Sequence, residues 1–191
     1  MAQLPNSMSS SKHYSPSTKR GSDTYCKVIN AGIRCISEKG FHNASTNKIA
    51  KEADVTWGVL QHQFGDKARL LEAILEYCFE QQMNKISLST SANQPLDSRV
   101  DALFEAIWEN QQTDTALVLW EILYGVRRDP QLSERFQPTL QKLRDLYDQQ
   151  WQLLFDDIAI SPESMAAVKE LTFSALRGLS YELNIRSSVC A

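Results

Sequence analysis

Residues 45–64, STNKIAKEADVTWGVLQHQF, constrain the chain most, because they fit two short helices joined by a tight turn and followed closely by a lysine. The hydroxyl of Ser45 can cap the free backbone donors of a first helix, which carries Ile49, Ala50 and Ala53 inward at helical spacing. Asp54 makes the turn, since aspartate is one of the few non-glycine residues that visit the left-handed region at modest cost. Val55 follows as an apolar plug, and Thr56 caps a second helix whose Leu60 and Phe64 lie four apart on the buried side. Trp57, Gly58, Gln61, His62 and Gln63 then point outward, a helix face suited to a DNA groove.

Charge is distributed in keeping with that face. The chain of 191 residues has a net charge of −3, but residues 1–69 hold ten Lys/Arg against five Asp/Glu, a net of +5, and residues 70–191 hold ten against eighteen, a net of −8. A polyanion is drawn to the first part and repelled by the rest, so an acidic whole does not exclude nucleic acid. No apolar run approaches the roughly 20 residues of a membrane span, and the N-terminus lacks the apolar core of a secretion signal, so a cytoplasmic location is expected. Cys26, Cys35, Cys78 and Cys190 form no metal-ligand spacing and are expected as reduced thiols, with no metal and no cofactor.

The remaining pattern is helical throughout. Residues 1–22, rich in Ser, Pro and Lys, read as a disordered basic arm. Val28, Ile29, Ile33 and Ile36 predict a helix over 23–39 that stops at Gly40, and Leu70, Leu71, Ile74, Leu75 and Phe79 predict another from Asp66 to about Leu88. That second helix connects a unit at 23–68 to a larger one at 69–191. A loop follows at 89–96, then an amphipathic helix through Val100, Leu103, Phe104, Ile107 and Trp108. TALVLWEILYGV is apolar nearly all round, which predicts a helix enclosed by others. Pro130 and Pro138 bracket a short helix, and long helices are expected over 138–157 and 162–185, with no strand and no repeat. The fold class is all-α.

The order Ala31, Glu38-Lys39-Gly40-Phe41, Ile49-Ala50, Ala53, Val55-Thr56, Gly58, Leu60, Phe64, Asp66-Lys67 and Leu70 resembles the signature of the tetracycline-repressor (TetR) family over residues 25–71. The resemblance implies an N-terminal three-helix DNA-binding unit and a helical unit for ligand binding and dimerisation. It implies that Ser45, Thr46, Asn47, Thr56, Trp57, Gly58, Gln61, His62, Gln63 and Lys67 form the DNA surface. Thr46 and Lys67 would hold phosphate, whereas Asn47, Trp57, Gln61 and Gln63 would meet base edges, since an amide pairs with adenine and an indole covers a thymine methyl. Gly58 permits close backbone approach. Three departures fall where specificity is decided: Gln61 stands where tyrosine is usual, Gln63 where histidine is usual, and Asp54 where the turn glycine is usual.

Beyond Leu71 the expectations rest on helices that enclose the pocket and the dimer seam in similar proteins. Phe79, Met83, Phe104, Trp108, Trp120 and Tyr124 are the candidates for binding a small, mostly apolar ligand. Leu143, Tyr147, Trp151 and Leu154, with the small-residue stripe of Leu171, Ser174, Ala175 and Gly178, are the candidates for a homodimer interface. The function so implied is a transcriptional repressor released from a palindromic double-stranded operator by its ligand. The alternative is an activator or a nucleoid-associated architectural protein without an effector. His13, His42 and His62 converge on no nucleophile or metal set, and there is no glycine-rich phosphate cradle, so an enzyme is not expected.

Overall fold

The computed structural model describes residues 19–89 and 92–189, with side chains placed over 21–87 and 92–182; residues 1–18 of the arm expected over 1–22, and Cys190, lie outside the described residues. The described residues form eight α-helices and no strand: α1 (Lys19–Lys39), α2 (Thr46–Glu52), α3 (Trp57–Phe64), α4 (Lys67–Ser89), α5 (Leu96–Gln111), α6 (Asp114–Arg127), α7 (Pro130–Phe155) and α8 (Pro162–Val189). A single 3₁₀ turn, Phe41–Asn43, joins α1 to α2.

Local chemistry accounts for the first three helices. Ser45 caps α2 by accepting from the Lys48 N–H, and Thr56 caps α3 by accepting from the Val59 N–H, both at 3.3 Å. Between them Asp54 takes φ 54°, and the N–H groups of Val55 and Asp54 donate to the carbonyls of Ala50 (3.0 Å) and Lys51 (3.2 Å). That pair of bonds is a Schellman stop, which satisfies the last carbonyls of α2 while turning the chain sharply into α3.

Helix α1 starts earlier than the sequence pattern predicts. Residues 19–22, expected to belong to the arm, form its first turn. The Gln63 amide donates to the carbonyl of Gly21 (3.3 Å), and one turn on Tyr25 stacks on Phe64 with ring centroids 5.3 Å apart. Tertiary contact thus outweighs the helix-weakening glycine.

Helix α7 is also a correction. It runs unbroken from Pro130 to Phe155 with Pro138 inside it, rather than as a short helix and a long one. An internal proline costs a helix about 3 kcal/mol. Here Phe136, Thr139 and Leu143 are buried on both sides of the ring, so the two halves share one packed face and the break is suppressed.

The core shows how the first three helices are attached. One apolar cluster runs from Val28, Ile36, Ile49 and Leu60 through Leu70 and Ile74 of α4 to Val118, Ile122 and Phe136. A smaller cluster at the far end gathers Ile86, Ile107, Trp151, Phe155 and Leu176. There the buried Arg99 donates to the carbonyl of Leu154 (2.6 Å) and forks onto Asp157 at 2.6 and 2.7 Å, tying α5 to the end of α7. No apolar boundary separates α1–α3 from the rest, and α6 packs directly against α1. No helix among the described residues is long and apolar enough to cross a membrane.

Candidate functional site

The outer face of α2 and α3 presents most of the side chains expected there. Asn47, Thr56, Trp57, Gly58, Gln61, His62 and Lys67 are exposed, Ser45 and Thr46 are half-buried at the start of α2, and Trp57 is 51% exposed. A Cβ at Gly58 would meet only Thr56 Oγ1, at 3.9 Å, so packing within the protomer does not demand a glycine there. Lys48 is pinned by donating to the carbonyl of Asn43 (2.9 Å). Val59, not anticipated from the sequence, is exposed as well. It lies three residues before His62 and so shares its face, where an apolar group can contact a thymine methyl.

Gln63 is a correction. It is buried, 9% exposed, with its amide on the carbonyl of Gly21, so it ties α3 to α1 instead of facing outward. The reason is geometric: Gln63 lies three residues after Leu60 and next to Phe64, on the inward side of the helix.

Two contacts fix this face to the remainder of the chain. Asp66 caps α4 by accepting from the Arg69 N–H (2.9 Å) and receives both guanidinium nitrogens of Arg135, at 2.9 and 3.0 Å. Burial alone would raise the Asp66 carboxyl, but these donors outweigh it and hold it below the ordinary carboxylate value. Lys67, the next residue, lies with its Nζ 5.6 Å from the ring centre of Phe41. The backbone N–H of Phe41 in turn donates to Glu121 Oε2 of α6 (3.1 Å). One turn along α6, Gly125 faces the Phe41 ring so closely that an added Cβ would stand 2.2 Å from it.

Glu121 also lines a cavity of about 380 Å³ between α6 and α8, together with Gln111, Leu117, Trp120, Tyr124 and Tyr181. A second chamber, of about 170 Å³, shares Gln111, Trp120 and Arg177 with it and adds Gln82 and Tyr147. Two of the expected pocket residues, Trp120 and Tyr124, therefore line the space. The other four are corrections. Phe79 and Met83 are sealed in the main core, Trp108 packs on the far cluster, and Phe104 sits on the outer surface. Helix α6 is not wholly enclosed: Leu117 and Tyr124 are exposed toward the cavity. The polar lining, Gln111, Arg177 and Ser180, left no periodic signal in the sequence.

The expected dimer stripe divides. On α7, Leu143, Trp151 and Leu154 are buried within the protomer, and Tyr147 lies between the rings of Phe79 (4.8 Å) and Phe173 (5.0 Å). These four are intrachain core, a correction, because α4 and α8 cover that side of α7. On α8, Leu171 is 70% exposed, Ser174, Ala175 and Gly178 are exposed, and nothing lies within 4 Å of a Cβ placed at Gly178. Leu153 of α7, with Gln149 and Gln152, borders a shallow open depression.

Comparison with known proteins agrees with this geometry. Residues 28–74 match the family model for bacterial regulatory proteins of the tetR family. The chain is 24% identical over 162 residues to the HTH-type transcriptional regulator CymR of Pseudomonas putida, an alignment covering 85% of this chain and 80% of that one. It is 30% identical over 126 residues to the HTH-type transcriptional regulator BetI of Escherichia coli, covering 63% of this chain and 60% of the relative's length. The fold is shared with a solved transcriptional regulator from Rhodococcus sp. Rha1, at TM-score 0.68, 18% identity and coverage of 83% and 82%. Both relatives are named as HTH-type transcriptional regulators. Residues 28–74 thus match the helix-turn-helix unit of the tetR family of bacterial regulatory proteins, and most of the chain is similar to an HTH-type transcriptional regulator.

Proposed function

We propose that the protein is a homodimeric repressor that reads a palindromic double-stranded operator with the outer face of α3 and leaves it when a small ligand fills the cavity between α6 and α8. Thr46 and Lys67 hold phosphate and set position; Asn47, Trp57 and Gln61 meet base edges. The exposed stripe of Leu171, Ser174, Ala175 and Gly178 on α8 seats the second copy. A two-fold dimer then presents two reading helices about 34 Å apart or a little more, one turn of DNA.

The observation that carries the reading is the position of Glu121. Its side chain lines the cavity and accepts the Phe41 N–H, while the Phe41 ring lies under Lys67. A ligand that shifts α6 therefore shifts the segment that sets α2 and the start of α4. Two arrangements of the heads suffice: if the ligand favours the one that mismatches the operator, ligand and operator weaken each other by the same factor. The test is transcription in vitro from a promoter overlapping a site selected by the protein. Transcript should fall on adding the protein and stay unchanged with Trp57→Ala; a rise in transcript would make it an activator.

A further inference from the structure

The two chambers are not equally apolar throughout, and their shared wall is the informative part. The guanidinium of Arg177 lies 4.1 Å from the centre of the Trp120 ring. Stacking occupies one planar face and leaves the edge, with its fork of N–H donors, for an acceptor. No carboxylate among the described residues supplies one: Lys169, the neighbouring cation, takes Asp148 and approaches Glu170, and Glu121 is engaged by Phe41. Arg177 Nε is buried and has no hydrogen-bond partner.

Two further groups are left open beside it. Gln111 accepts from the Trp120 indole N–H (3.3 Å) through Oε1, which leaves its amide N–H₂ as a donor at the same wall. Gln82, only 2% exposed, lines the second chamber with its Oε1 buried and unpaired. The Tyr147 phenol in that chamber is kept neutral by burial, against the lowering effect of the Arg177 charge, and remains a donor. Around these groups the larger chamber offers Leu117, Tyr124 and Tyr181, an apolar and aromatic wall.

We infer that the effector is an apolar carboxylate, its hydrocarbon body against Leu117, Tyr124 and Tyr181 and its carboxylate on the edge of Arg177. The inference rests on the cavity being the effector site and adds the chemical class. A planar acceptor with two oxygens matches the guanidinium fork, and at a half-buried arginine such a charge-assisted pair is worth more than at the open surface. An unpaired buried donor is costly, so the site is completed by the ligand and not by the protein. Gln82 Oε1 then accepts from a hydroxyl or amide where the ligand carries one.

Calorimetric titration of the full-length protein with biphenyl carboxylate, its carboxamide and its aminomethyl analogue tests this. The acid should bind about ten- to a hundredfold tighter than the amide. Arg177→Met should abolish that preference, while Arg177→Lys, which keeps the charge and loses the fork, should retain part of it. Circular dichroism and operator binding confirm that both variants fold. Equal binding of acid and amide, or tighter binding of the amine, would overturn the carboxylate assignment and leave the cavity as effector site. Binding of none of the three at millimolar concentration would overturn both.

Discussion

The Phe41 N–H and the Glu121 carboxylate, 80 residues apart in sequence, meet at 3.1 Å and join the turn before α2 to the middle of α6. Phe41 is buried and Glu121 half-buried, and the bond stands where the cavity wall and the α1–α3 unit touch.

Glu121→Ala should therefore uncouple the two regions. The half-buried Phe41 N–H loses its acceptor, which costs about 1 to 3 kcal/mol. Amide exchange at Phe41 should quicken, and any compound that releases wild-type protein from DNA should release this variant less. Unaltered release would place the coupling elsewhere, for instance at Asp66 and Arg135.

Phosphate contact and base reading separate by salt. Lys67→Ala should weaken binding to all duplexes and reduce the slope of log K against log salt by about one unit. Trp57→Ala should keep that slope and change which sequences are preferred. Filter or fluorescence titrations at several salt concentrations distinguish the two, and an unchanged slope would remove Lys67 from the phosphate contacts.

Acid should loosen the Asp66–Arg135 bridge. The Asp66 carboxyl is held below its ordinary value when folded, so the unfolded chain binds the proton more readily. Its contribution is complete above the unfolded value of about 4 and is lost as pH falls through the lower folded value. Asp66→Asn retains the cap but not the ion pair. Because the aspartate side chain is 55% exposed, the variant should be less stable by only about 0.5 to 1 kcal/mol at neutral pH. In urea melts the gap should close below about pH 4; a gap independent of pH would mean the ion pair contributes nothing.

Leu171→Asp should leave the protomer folded, since exposed substitutions usually change stability by about 0.5 kcal/mol or less. It should convert the dimer to monomer in sedimentation, with loss of tight operator binding. A dimer that persists would put the interface on another face.

The helix-turn-helix was legible because its determinants are local. Two side-chain caps, one left-handed aspartate and the spacing of Leu60 and Phe64 specify it within 20 residues of sequence. Gln63 was legible in principle too, being three residues from Leu60, but its polarity suggested solvent and concealed its bond to Gly21. The cavity was not legible. Its wall comes from Gln111, Trp120, Arg177 and Tyr181 on three separate helices, and helical periodicity cannot say which side of α6 its neighbours leave open. Aromatic content pointed instead to Phe79, which the core had already claimed. The same ambiguity misplaced half of the dimer stripe, because an apolar face on α7 looks alike whether α4 or a second copy covers it.

Selection of bound sequences from a random duplex pool, at near-physiological salt, tests the central claim most directly. A two-fold symmetric site with half-sites about one helical turn apart or slightly more is the predicted result. Salt-sensitive binding that enriches no motif would contradict it and point to an architectural protein.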